Sequence, residues 1–232
     1  RKGYLGKDNS GTGIGLLFDF IIIHESAHEW FGNSITSRDI ADMWIHEAFT
    51  TYAESVYIEC QFGKEKAIEY INGQKKLVRN AQPVTGNYGV NNEGSSDMYY
   101  KGTLILNTLR NSIDDDEKWW KIMKKFAETN LHKIIETPDV IAFFSTETGW
   151  NLKPFFEQYL KFTSIPALET KQNGTTFNYR WKNDVKDFEL PISFFANKQK
   201  VKITPSAEWQ SISLKKNAKI EFPTDLFYIQ FK

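Results

Sequence analysis

The chain has 232 residues, 41% of them hydrophobic and 15% aromatic, so it can bury a sizeable core in one large or two small domains. Its 29 basic and 29 acidic residues cancel, which excludes a broad basic surface for nucleic acid or anionic lipid. The apolar run from Phe20 to Ile23 is far too short to span a membrane. The single cysteine, Cys60, cannot form an intrachain disulfide, so the sequence indicates no cellular compartment.

The first two thirds of the chain are predicted to be helical after an N-terminal loop. Residues 1–13 contain four glycines and are typical of turns. Apolar residues dominate from Ile14 to Phe31, and Gly32-Asn33 is a suitable stop, so we predict a largely buried helix there. Capping residues and composition predict a loop over residues 83–96 and further helices over residues 41–62, 64–80, 97–112, 114–130, 137–149 and 152–162.

The pattern changes after Ile165-Pro166. Residues 175–181, 201–204 and 211–214 alternate between polar and apolar, as half-buried strands do. Asn173-Gly174 lies between two such segments and is a hairpin signal. We therefore predict an α+β chain with a helical domain over residues 1–165 and a small antiparallel β-sandwich over residues 166–232.

The segment His24-Glu25-Ser26-Ala27-His28 is a candidate metal site. On a helix, positions i and i+4 share one face, so His24 and His28 can reach a single ion. A catalytic zinc takes three protein ligands and leaves a fourth position open for water. Glu47, inside the next predicted helix, can supply the third ligand, and the sequence therefore predicts a zinc site of His24, His28 and Glu47.

Glu25 is the candidate general base of this site. It follows the first histidine directly, so it can approach a water molecule at the metal without binding the metal itself. The oxyanion that develops in the reaction needs a further hydrogen-bond donor, for which a tyrosine hydroxyl is suitable. Tyr99 and Tyr100 are both candidates. The two remaining histidines are not predicted ligands, since His46 points away from Glu47's face and His132 is expected at the surface near a helix end.

These motifs resemble those of the gluzincin zinc aminopeptidases of the aminopeptidase N and leukotriene hydrolase type. The resemblance rests on HESAHEWFGNSIT, from His24 to Thr36, and on WIHEAFTTY, from Trp44 to Tyr52. It implies a thermolysin-like peptidase domain that binds one zinc ion through His24, His28 and Glu47, with Glu25 as the catalytic base. The segment Tyr99 to Gly102 matches the family's Y-x-K-G signature, which makes Tyr99 rather than Tyr100 the implied oxyanion stabiliser.

The resemblance also implies a substrate class and an incomplete chain. Members remove single residues from peptide N-termini and carry, upstream of the zinc helix, a segment whose glutamate binds the free amine. That segment has no counterpart here, so we expect the N-terminal domain of the same protein to precede Arg1. Two departures occur beside Glu47, where His46 and Ala48 replace the family's common Asn and Gly.

Two other functions compete with a zinc aminopeptidase. The same HExxH centre serves endopeptidases, and nothing in these residues shows recognition of an amine. The chain could also be an inactive module that binds zinc or peptides, although a structural zinc normally has four protein ligands and only three are visible. Peptides are the predicted substrates, and neither nucleic acid nor a membrane is a predicted partner. The side-chain preference and the oligomeric state are not predicted.

Overall fold

The computed structural model describes residues 7–232, so the first six residues of the predicted N-terminal loop lie outside the described residues. The helices are α1 (Phe20–Ala27), α2 (Trp44–Phe62), α3 (Lys64–Lys75), α4 (Asp97–Ile113), α5 (Asp116–Thr129), α6 (Thr137–Thr148) and α7 (Lys153–Lys161). The strands are β1 (Ile35–Ser37), β2 (Lys133–Ile135), β3 (Ala167–Asn173), β4 (Thr176–Lys182), β5 (Ile192–Ala196), β6 (Gln199–Ile203), β7 (Gln210–Ser213), β8 (Ile220–Glu221) and β9 (Gln230–Phe231). Within the described residues, no helix is both long and apolar enough to cross a membrane.

The predicted α+β class is confirmed, with helices followed by two packed sheets. One sheet has the order β7-β4-β3-β9 and the other β6-β5-β8. Phe177 on β4 and Phe194 on β5 bring their ring centroids within 5.0 Å, so the inner faces of the two sheets are in contact. The hairpin at Asn173-Gly174 joins β3 to β4 as predicted. The first sheet is mixed rather than antiparallel, because β9 pairs with β3 in parallel.

Helix α1 is shorter and more exposed than predicted. It begins after Asp19, whose Oδ1 accepts a hydrogen bond from Ile22 N at 3.4 Å. It ends at Ala27, and Gly32 at φ 140° then turns the chain sharply. Within the helix only Ala27 is buried, and Ile22 is 53% exposed. The prediction of a largely buried helix from Ile14 to Phe31 was wrong, because apolar composition alone does not identify the surface that covers a side chain.

Two further differences lie outside the helical motifs. The parallel pair of β1 with β2 was not predicted, since each strand has three residues and the partners Ile35 and Lys133 are far apart in sequence. Helix α3 ends at Lys75 rather than near Asn80. The division into residues 1–165 and 166–232 stays a prediction, because buried side chains of the helices and of both sheets pack into one continuous hydrophobic cluster.

Helices α2 and α4 approach each other closely at Ala48 and Gly102. A Cβ atom added at Gly102 would lie 2.4 Å from the Cβ of Ala48 and 3.0 Å from its Cα, which is closer than carbon atoms can approach. Glycine at position 102 therefore permits the two helix backbones to pack together. This contact fixes the position of Tyr99, one turn earlier on α4, relative to Glu47, the neighbour of Ala48 on α2.

We expect Gly102→Ala to lower the free energy of unfolding by about 1–3 kcal/mol, as other overpacked core substitutions do. Ala48→Gly alone should cost about 1 kcal/mol through helix propensity. The double variant should lose less stability than the sum of the two single variants, because the smaller residue returns part of the space. Urea unfolding of the four proteins measures this coupling. Strict additivity would contradict the close approach.

Candidate metal centre and active site

The side chains of His24, His28 and Glu47 converge on one point between α1 and α2. Glu47 Oε2 lies 3.2 Å from His24 Nε2 and 3.5 Å from His28 Nε2. One ligand atom from each residue lies within 4.8 Å of the others. The structure thus brings together the three residues that the sequence predicted as a ligand set.

The chemistry of the donor set and two of its separations fit a zinc ion. With bonds of about 2.0–2.1 Å, neighbouring ligand atoms of a tetrahedral zinc site lie about 3.3 Å apart. The separations of 3.2 Å and 3.5 Å from Glu47 Oε2 to the two imidazole nitrogens bracket that length. Two imidazoles and one carboxylate are also the ligand types of catalytic rather than structural zinc sites.

A buried carboxylate orients His24. Glu54, 2% exposed, has its Oε1 2.8 Å from His24 Nδ1. Tyr70 and Gln74 donate hydrogen bonds to Glu54 Oε2 at 2.5 Å and 3.3 Å. A carboxylate behind the outer nitrogen fixes the ring orientation and leaves Nε2 directed at the metal position. Burial raises the pKa of Glu54, although its bonds to His24 and Tyr70 oppose that shift.

A backbone carbonyl orients His28. After α1 ends, the chain turns back so that Phe31 O lies 2.9 Å from His28 Nδ1. Thr50 on α2, fully buried, donates to the same carbonyl at 3.3 Å and lies 3.3 Å from His28 Nδ1. Gly32 permits the turn with its φ of 140°, a conformation that side chains rarely adopt. Both histidines therefore keep Nδ1 outward and Nε2 inward.

The carboxylates beside His24 favour its protonated form. Burial lowers the pKa of His24, but the hydrogen bonds and charges of Glu47 and Glu54 outweigh burial and raise it to about 9. The protonated ring then bridges the two carboxylates. Because a metal binds neutral imidazole, metal binding must displace this proton.

Glu25 and Tyr99 face a cleft of about 470 Å³ that His24 also lines. Glu25 is exposed and Tyr99 is half-buried, with its ring centroid 5.9 Å from that of His24. Burial raises the pKa of Tyr99 to about 12, and the nearby charge of Glu47 adds to the effect, so its hydroxyl remains a donor at neutral pH. Tyr100 lines the same cleft. Burial raises its pKa too, but the charge that adds to the effect is that of Glu54.

The structure does not bring the other two histidines into the site. His46 accepts a hydrogen bond from Ser37 N at 2.8 Å through Nε2, and burial lowers its pKa, so it joins α2 to β1 as a neutral ring. His132 is exposed and follows the end of α5. Sequence reasoning missed Glu54 and Tyr70. The available signal was the spacing, since Glu54 follows Glu47 by two helical turns on the same helix face.

The geometry agrees with the comparisons to known proteins. Residues 16–159 match the model of the peptidase family M1 domain. The chain belongs to this family. It is 25% identical over 195 residues to glutamyl aminopeptidase of Bitis rhinoceros, covering 79% of this chain and 20% of the relative. It is 27% identical over 139 residues to aminopeptidase B of Rattus norvegicus, covering 53% of this chain and 21% of the relative.

Solved structures of similar proteins share the fold. Aminopeptidase A of Legionella pneumophila, solved with aspartic acid, superposes with a TM-score of 0.63 at 15% identity, covering 97% of this chain and 28% of that one. An M1 zinc metallopeptidase of Deinococcus radiodurans gives 0.55 at 22% identity, covering 64% of this chain and 34% of that one. The chain spans about a fifth of the length of the curated M1 relatives named above. The resemblance to gluzincin aminopeptidases is thus confirmed at the level of the family.

We expect Glu54→Gln to weaken metal binding about 10–100-fold, as loss of a carboxylate behind a metal-binding histidine does elsewhere. Competition with a chromogenic chelator measures the affinity. The control Glu65→Gln makes the same chemical change at an exposed position of α3 and should leave the affinity unchanged. Equal affinities of the two variants would show that Glu54 does not support His24.

The lysine of the Y-x-K-G segment generates a prediction about pH. Lys101 is fully buried, its Nζ donates to Phe162 O at 2.8 Å, and burial lowers its pKa from 10.5 to about 8. Between these two values the unfolded chain binds more protons than the folded chain, so Lys101 makes stability rise with pH. We expect Lys101→Met to reduce this rise, measured by urea unfolding across that range. An unchanged slope would contradict the lowered pKa.

Proposed function

We propose that this chain carries the catalytic centre of a zinc metallopeptidase and that the enzyme is an aminopeptidase acting on peptides. In this proposal His24, His28 and Glu47 bind one zinc ion, Glu25 is the general base and Tyr99 stabilises the oxyanion. The observation that carries it is the convergence of three ligand atoms within 4.8 Å at the edge of an open cleft. The family match and relatives named as aminopeptidases support it.

The proposed reaction uses each residue for one task. A zinc ion held by His24, His28 and Glu47 would lower the pKa of a bound water molecule and would polarise the scissile carbonyl. Glu25, exposed beside His24, accepts the proton of the attacking water and transfers it to the leaving amine. Tyr99 donates its phenolic hydrogen to the oxygen on which negative charge develops. Glu54 holds the His24 ring throughout, and Phe31 O and Thr50 hold that of His28.

The exposed carboxylate favours catalysis over a structural zinc site. A structural zinc is enclosed by four protein ligands. Here the ligand set has three members among the described residues, and Glu25 lies next to it on the cleft side without joining it. A base beside an open metal position is what hydrolysis requires. The activity of the whole protein, which is longer in the relatives, is part of the same proposal.

We expect the zinc-loaded protein to cleave a free-amine aminoacyl anilide and to spare its N-acetylated form. Glu25→Gln should lower kcat/KM by roughly 10²–10⁴, the usual contribution of a general base, and retain stoichiometric zinc by elemental analysis. Cleavage of the acetylated substrate at a similar rate would indicate an endopeptidase. Zinc binding without any turnover by the wild-type protein would indicate a binding module.

The two adjacent tyrosines provide a matched pair for the same assay. Tyr99→Phe should lower kcat by roughly 10²–10³, because it removes one donor to the oxyanion. Tyr100→Phe removes a hydroxyl from the same cleft and should have a much smaller effect. A larger loss of kcat in Tyr100→Phe than in Tyr99→Phe would show that Tyr100, and not Tyr99, stabilises the oxyanion.

A further inference from the structure

The cleft beside the metal-ligand cluster has a second wall of different charge. Helix α1 supplies His24 and Glu25 to one wall, and α3 with the segment after it supplies Tyr70 and Arg79 to the other. Most polar side chains around the cleft are hydroxyls or carboxylates. Among the described residues that line it, Arg79 carries the only permanent positive charge.

A buried carboxylate fixes the backbone that carries Arg79. Asp97 accepts hydrogen bonds from Arg79 N at 2.9 Å and from Asn80 N at 2.6 Å. Asn80 has a positive φ of 49°, and its side chain donates to Tyr228 OH at 2.7 Å. Asp97 is the first residue of α4, two positions before Tyr99. The same carboxylate therefore sets the position of Arg79 relative to the proposed oxyanion donor.

The guanidinium of Arg79 is available to a ligand. The residue is exposed, and no carboxylate of the described residues lies within ion-pair distance of it. It also lines a second recess of about 330 Å³, which shares Arg79 and Ser96 with the main cleft and contains Gln82 and Ser95. Arg79 thus lines both the cleft and a polar recess, and each space alone is large enough for a small ligand.

We propose that Arg79 binds a carboxylate of the peptide substrate; this inference rests on the proposed peptidase function. A guanidinium recognises a carboxylate through two parallel hydrogen bonds, which neither a lysine nor a neutral amide can reproduce. The carboxylate belongs either to an aspartate or glutamate side chain or to the C-terminus of a short peptide. The positive charge of Arg79 disfavours the substrate's free amine at the same place.

Equilibrium binding to the zinc-loaded protein tests the proposal without requiring turnover. L-glutamate should bind roughly tenfold or more tightly than its neutral isostere L-glutamine, since a hydrogen bond to a charged group supports a difference of that order. Arg79→Gln should abolish the difference, and Arg79→Lys should reduce it. Arg38→Gln, which removes an exposed arginine outside the cleft, should leave it intact. A preference for glutamate that survives Arg79→Gln would overturn the proposal. Equal binding within both ligand pairs, glutamate with glutamine and glycylglycine with glycylglycine amide, would overturn it as well.

Two further comparisons separate the alternatives. If glycylglycine loses its advantage over glycylglycine amide in Arg79→Gln while glutamate and glutamine do not differ, the bound carboxylate is the peptide C-terminus. Hydrolysis of glutamyl and glutaminyl anilides tests the proposed function separately. Glutamate selectivity that depends on Arg79, without hydrolysis of either anilide, would retain the carboxylate site and reject the peptidase. Hydrolysis of both anilides at equal rates in wild type and Arg79→Gln would retain the peptidase and reject the carboxylate site.

Discussion

One face of helix α2 holds both histidines of the candidate centre. Glu47, Thr50 and Glu54 lie at spacings of three and four residues, which places them in a row along the helix. Glu47 lies between the two Nε2 atoms, Glu54 contacts Nδ1 of His24, and Thr50 lies against Nδ1 of His28. Helix α2 also packs closely against α4, where Gly102 leaves room for Ala48. The geometry of the site therefore depends on how α2 packs against both α1 and α4.

Charge balance explains why this row suits a cation. Glu47 and Glu54 are both buried, and an uncompensated buried carboxylate is costly. Both carboxylates lie beside His24 and favour its protonated form, which is why its pKa rises to about 9 despite burial. A divalent ion would supply more charge at nearly the same place and release that proton. The two carboxylates therefore favour a cation at this place, either a proton on His24 or a metal ion.

Local sequence patterns predicted the site residues whose spacing along one helix defines their position. They did not predict contacts between side chains that are far apart in the sequence. The i, i+4 histidines and the helix around Glu47 follow from spacing and capping alone. Tyr70 could not be recognised as a partner of Glu54, because the bond joins different helices sixteen residues apart. The exposure of Ile22 was missed for a similar reason, since burial depends on the surrounding surface and not on composition. The sequence predicts a helix over residues 64–80 that includes Arg79, whereas α3 ends at Lys75 and the backbone N–H of Arg79 donates to Asp97 instead.

The segment between β8 and β9, beyond the family-matched region, contacts α3 and the turn that follows it. Tyr228 accepts a bond from Asn80, beside Arg79, and its own carbonyl accepts one from Tyr159 OH at 2.8 Å. Lys75, the last residue of α3, donates to the carbonyls of Thr224 and Phe227. These contacts link the C-terminal segment to the wall opposite α1, outside residues 16–159. The three proposed ligands lie on α1, on the residue that ends it and on α2, and α3 supports them through the bonds of Tyr70 and Gln74 to Glu54. Because α3 also contacts the C-terminal segment through Lys75, that segment supports both walls of the cleft.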